Sequence, residues 1–356
     1  MKIENQTYQQ VLAAVRKCFN HLVGMEELIT MMVEGIMSLW KGGEGFSGTL
    51  IAEAGKGKSA VMIAYGKALE AIGYEVFYGT PDEFRKEGDE SWATIKNMLC
   101  ERGKEYALII DESHGLFAAG STVQTKKIAS FAMKALDGNF DGGSISLGDN
   151  IVAHFSRRNC VMMLGTNHPS RLPDALCAEN GRTVRYVMPD YTTRQLQTIF
   201  RRMLDRFGLE TSDDKAAKRI VDCARGTARP LEKITRQLSI TLGSGEKARK
   251  TVKPDDVTIA LRSLQMFPRG LNVTEMQMLE RLAANPVPDR IISQMFPGVD
   301  TGTLRKSRAY LMLCGSEVDA KGKPGTPFVA PVTGGSMTTE KGKRFLADCA
   351  KLGFQW

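Results

Sequence analysis

The chain has 356 residues, 42% hydrophobic and 25% charged, with a formal net charge of +8. That length suits two or three domains with their own cores, and this composition excludes disordered, collagen-like and membrane-spanning chains. The cysteines at 18, 100, 160, 177, 223, 314 and 349 form no CxxC pair, and the histidines at 21, 114, 154 and 168 lack metal-ligand spacing, so reduced thiols in a cytoplasmic protein are expected rather than a disulfide or zinc framework.

Apolar residues at helical spacing predict helices over 8–19 and 25–40. TLIAEA (49–54) is a short buried strand leading into GKGKS and a helix that ends at Gly73. YEVFYGT (74–80) and YALIIDE (106–112) read as further strands, with helices over WATIKNMLCER and 122–136. The Gly- and Asp-rich stretch 137–159 alternates in short runs and predicts a β-hairpin. CVMMLGTN (160–167) and TVRYVMPDY (183–191) complete the strands, and their alternation with helices predicts an α/β fold, a parallel sheet covered on both faces. Four helices follow, over 192–206, 213–224, 229–242 and 254–264, then a linker at 266–270, three short helices and a Gly/Pro-rich hairpin segment at 315–335. No apolar run approaches the roughly 20 residues that cross a bilayer, and MKIENQTYQQ has no apolar signal core, so neither membrane insertion nor export is expected.

AEAGKGKS (52–59) matches the phosphate-loop pattern GxxxxGK[ST], with Ala52 in place of the first glycine. A strand, a glycine loop and a helix start in succession aim backbone N–H groups and a helix dipole at a triphosphate, so Gly55, Lys56, Gly57, Lys58, Ser59 and Ala60 are expected around ATP. Lys58 would reach the β/γ-phosphates and Ser59 would ligate Mg²⁺. LIIDE (108–112) supplies the acids: Asp111 for the Mg²⁺ shell and Glu112 to polarise the attacking water. Asn167, ending the next strand, is placed to bond the γ-phosphate or the water. Arg182 and Arg185, in GRTVR, are candidates for a finger reaching into a neighbouring subunit's nucleotide. Arg229, at a helix start in RGTAR, is a candidate γ-phosphate contact from the helical region.

This order of phosphate loop, DE acids, Asn, GRxxR arginines, helical region and its arginine resembles the AAA+ ATPases. RMLDRFGLETSDDKAAKRIVDCARGTARPLEKITRQL (202–238) is similar to the lid of the RuvB family, bacterial Holliday-junction branch-migration motors. NHLVGMEEL (20–28) resembles that family's nucleotide-flanking segment, and the resemblance assigns Val23 and Tyr191 to the nucleotide's surroundings. GLNVTEMQMLERL (270–282), TLRKSRAYLMLCG (303–315) and MTTEKGKRF (337–345) resemble the family's winged-helix domain. The resemblance implies a nucleotide-binding domain over 1–190, a helical lid over 191–267 and a winged-helix DNA-binding domain over 268–356. The helix 301–313 would carry Arg305, Lys306 and Arg308 onto phosphates, and a wing would carry Lys321 and Lys323. The hairpin 137–159 stands where RuvB docks its junction-binding partner RuvA, so a protein adaptor is expected there. Departures from the family, Asn167 for Thr and GRTVR for its arginine motif, suggest a divergent member, of phage or mobile-element type. The implied function is an ATP-hydrolysing hexameric motor on duplex or branched DNA. An ATP-switched initiator or helicase loader, and a protein remodeller, are the alternatives.

Overall fold

The fold was obtained as a computed structural model that describes residues 7–84, 90–137, 142–148, 150–177, 184–243, 250–316 and 325–356. The chain divides into two compact units, Met1–Gln195 and Leu196–Trp356.

The first unit begins with α1 (Tyr8–Phe19) and α2 (Glu26–Trp40). Thr7 starts α1 through a capping box with Gln10, which satisfies two orphan groups at the helix end. The elements then run β1 (Gly48–Ile51), α3 (Lys58–Glu70), β2 (Glu75–Gly79), α4 (Glu90–Cys100), β3 (Tyr106–Ile110) and α5 (Val123–Ala135). They continue with β4 (Gly143–Ser146), β5 (Val152–Phe155), β6 (Cys160–Thr166), α6 (Asp174–Cys177) and β7 (Val184–Val187). Five strands form one sheet in the order β2-β3-β6-β1-β7, every pair parallel.

Both faces of this sheet are covered. Along β3, Tyr106, Leu108 and Ile110 enter a core with Trp92, Ile95, Ile128 and Phe131 from α4 and α5. Ala107 and Ile109 enter the opposite core, with Val15, Leu28 and Val61 from α1, α2 and α3. A strand flanked by two cores has no polar face to display, which is why YALII and CVMMLGT read as continuous apolar runs. The predicted hairpin is present as antiparallel β4 and β5, with Ile145, Ala153 and Phe155 turned into the α4/α5 core.

The four predicted helices of the middle region are α7 (Thr193–Phe207), α8 (Asp214–Val221), α9 (Arg229–Gly243) and α10 (Pro254–Ser263). The boundary between the units falls within α7, and two-residue strands β8 (Glu210–Thr211) and β9 (Thr251–Val252) pair beside these helices. Then come α11 (Val273–Arg281), α12 (Asp289–Met295), α13 (Thr301–Leu313), β10 (Val329–Val332), β11 (Gly335–Thr338) and α14 (Glu340–Lys351). Val287 bridges to Ser336, so a third short segment joins the β10–β11 hairpin and completes a winged-helix order.

Two expectations are corrected here. The hairpin lies at 329–338, overlapping only the last part of the 315–335 segment assigned to it and running three residues beyond, and α14 was not anticipated. Thr339 caps α14 by accepting from the Gly342 N–H. A Cβ on Gly342 would stand 2.5 Å from the Phe328 carbonyl oxygen. The helix therefore needs a glycine that its own propensity disfavours, and that residue disguises it.

Candidate active site

The parallel register brings the carboxyl ends of β1, β3 and β6 together, Ile51 beside Thr166 and Ile110 beside Leu164. Loops that leave this edge carry the phosphate loop, the two acids and Asn167, the usual place for a ligand in an open parallel sheet.

The phosphate loop turns through Gly55 (φ +91°) and Gly57 (φ +85°), and Gly57 is the N-cap of α3. Among the described residues no side chain caps that helix end. Its first N–H groups and the positive end of its dipole thus suit an anion. Ala52 does not have positive φ, and its methyl is buried in the α1–α3 core, so the departure from glycine disturbs nothing. The Lys56 side chain is held at the end of β7: its Nζ lies 2.7 Å from Asp190 Oδ1 and donates to the Met188 carbonyl at 3.4 Å. Tyr191 donates its hydroxyl to the Lys56 carbonyl at 2.8 Å, and burial pushes its pKa up to about 12. Val23 is half-buried in the loop between α1 and α2. That loop reaches the site through Met25, whose methyl would stand 3.5 Å from a Cβ on Gly57.

Lys58 is buried and donates to both acids, in a short contact with Asp111 Oδ1 and at 3.2 Å to Glu112 Oε1. Burial pulls the Lys58 pKa down, and Glu112 opposes that shift. Ser59 donates to Asp111 Oδ2 at 2.6 Å, and the Tyr78 hydroxyl lies 3.5 Å from the same oxygen. A hydroxyl and a carboxylate held together are hard oxygen donors of the kind Mg²⁺ takes. Glu112 adopts a left-handed conformation (φ 50°, ψ 37°), a costly state for a side-chain-bearing residue that is typical of functional turns. Its backbone N–H donates to Asp111 Oδ1 at 2.8 Å. The Asn167 side-chain oxygen is buried with no hydrogen-bond partner, an orphan that a bound polar group would satisfy. Its neighbour Thr166 accepts from the His168 N–H at 3.0 Å, and His114 Nδ1 lies 3.2 Å from the same hydroxyl oxygen.

The structure therefore brings together Gly55, Gly57, Lys58, Ser59, Ala60, Asp111, Glu112 and Asn167. Arg185 lies on β7, at the sheet edge, with its side chain exposed. Arg182 lies outside the described residues. Arg229 opens α9 in the second unit and is exposed. On α13, Arg305 and Lys306 are exposed, whereas Arg308 is half-buried, in short contact with Asp289 Oδ1 and donating to Ser336 Oγ at 3.3 Å. Lys321 and Lys323 lie outside the described residues. Sequence reasoning missed Tyr78, His114 and the Lys56–Asp190 pair. Only His114 carried a signal, its position two residues after Glu112.

No protein-family model and no curated protein matches the chain. Among solved structures, a point mutant of Thermotoga maritima RuvB matches with a TM-score of 0.60 at 20% identity, over 94% of this chain and 97% of that one. The Thermotoga maritima RuvB Holliday-junction branch-migration motor matches with a TM-score of 0.56 at 19% identity, over 94% and 96%. The FIGL-1 AAA domain in complex with ADP matches with a TM-score of 0.51 at 13% identity, over 86% and 97%. The chain has the fold of a RuvB-like AAA+ ATPase.

Proposed function

We propose that the protein is an ATPase that works as a ring of identical chains, a hexamer by analogy with RuvB, and moves duplex or branched DNA. The observation that carries the ATPase reading is the convergence of Lys58, Ser59, Asp111, Glu112 and Asn167 at one sheet edge beside an uncapped helix start. In this reading Lys58 leaves its acids to meet the β/γ-phosphates. Glu112 orients the attacking water and accepts its proton, while Asn167 bonds the γ-phosphate or that water. Ser59 and Asp111 would hold Mg²⁺, which would neutralise charge developing on the phosphate oxygens. Arg185 or Arg182 of a neighbouring copy would supply a further positive charge, and Arg229 would couple nucleotide state to the lid. The cytoplasm fits such a partner, and no helix among the described residues is long and apolar enough to cross a membrane.

The DNA reading rests on the RuvB-like fold, the winged-helix order, and the exposed Arg305 and Lys306 on α13. An adaptor would approach the outer face of the β4–β5 hairpin, where Val152 is exposed. The test is the ATPase rate with and without duplex and four-way-junction DNA over a salt series. A rise of about tenfold that fades with salt, and shrinks when Arg305 and Lys306 become Ala, is expected of a motor that grips phosphates. Turnover indifferent to DNA would replace this reading with that of a nucleotide switch or a protein remodeller.

A further inference from the structure

Glu112 turns its two carboxylate oxygens towards different neighbours, one within hydrogen-bond distance and one just beyond it. Oε1 accepts from Lys58 at 3.2 Å, and Oε2 lies 3.6 Å from His114 Nδ1. If Lys58 turns to a phosphate, Oε1 loses its bond. The Glu112 side chain, 44% exposed on a left-handed turn, would then be free to sample rotamers that point it away from a water.

We propose that His114 is a positioning residue, which keeps Glu112 aimed at the attacking water once Lys58 has left it. This rests on the ATPase reading and extends it to a residue that touches neither nucleotide nor water. His114 is itself held firmly. Its side chain is 16% exposed, its ring meets His168 edge-on at 4.8 Å and 81°, and its Nδ1 lies 3.2 Å from Thr166 Oγ1. Thr166 is the last residue of β6 and adjoins Asn167, so one imidazole links the ends of the strands that carry the base and the phosphate sensor. The charged groups that face it are Glu112, His168, Arg171 and Lys58. Burial acts with all of these except Glu112 to hold the imidazole below its ordinary pKa, and the ring is neutral at pH 7. A neutral ring that positions a carboxylate must carry its proton on Nδ1, aimed between Glu112 Oε2 and Thr166 Oγ1.

The side-chain amide of Asn places a donor near the Nδ1 position, whereas Gln reaches towards Nε2. In the full chain, His114→Gln is expected to lower kcat about 100-fold, in line with a small misplacement of a reacting group, with ATP affinity unchanged. His114→Asn is expected to recover most of that loss. Nitrogen NMR of histidine-labelled wild type is expected to find the proton on Nδ1. Equal effects of Asn and Gln, affinity falling in step with kcat, or an Nε2–H tautomer would each overturn the proposal. A wild-type chain with no ATPase activity would overturn the reading beneath it as well, whereas active wild type with unaffected variants would overturn the His114 role alone.

Discussion

Gly57 joins three constraints at one residue. It occupies the N-cap position of α3, it holds φ +85°, and a Cβ there would stand 2.8 Å from the Tyr191 hydroxyl that bonds the Lys56 carbonyl. Gly57→Ala should therefore cost about 1–2 kcal/mol for the left-handed backbone alone, and more for displacing Tyr191. In a Tyr191→Phe background, which itself forfeits the bond to the Lys56 carbonyl, Gly57→Ala should cost the backbone part alone, a difference readable as urea midpoints. A Gly57→Ala chain as stable as wild type would refute this account of the loop. Such constraints are partly legible in sequence. The glycines and Lys58 show themselves through a motif because the loop's conformation is local. The bonds from Lys56 to Asp190 and from Tyr191 to Lys56 span 134 and 135 positions, and no local pattern announces them. The Lys56 side chain thus ties the loop to the segment after β7.

At the scale of elements, the second unit has its own polar fastening. Glu275 completes a capping box with Asn272 at the start of α11 and receives both ends of the Arg225 guanidinium, at 3.0 and 3.1 Å. That guanidinium also lies 3.4 Å over the Tyr310 ring of α13. Glu275 is buried, 1% exposed, so removal of its carboxylate leaves Arg225 without its ion-pair partner and the Asn272 N–H without its half of the capping box. Glu275→Ala should cost about 3–5 kcal/mol, and Glu275→Gln distinctly less because its amide oxygen still caps. Equal losses from both in denaturant titrations would mean that the charge pair, not the cap, dominates. Most helices here were legible because each exposes an apolar stripe of period 3.6, as in α9 with Leu231, Ile234 and Leu238 buried. The exception, α14, is amphipathic too, but Gly342 and a charged surface mask it, and its hairpin neighbour gives only four-residue strands.

The whole first unit follows from alternating strands and helices, which the apolar runs at β1, β3 and β6 made readable. Strand order was not readable, since it depends on which distant runs pair, as Ile51 does with Thr166. The site inherits this division. Its residues were nameable one by one because each ends a strand or starts a helix. Their mutual bonds, Lys58 to both acids and Ser59 to Asp111, needed the assembled sheet. In the proposed function this sheet edge hydrolyses ATP with Glu112 as the base. Parallel measurements of ATP affinity and steady-state turnover for Glu112→Gln test it most directly. Affinity close to wild type with turnover reduced at least about 100-fold, the loss of a general base, is expected. Turnover that survives the substitution, or affinity that disappears along with it, would contradict the claim.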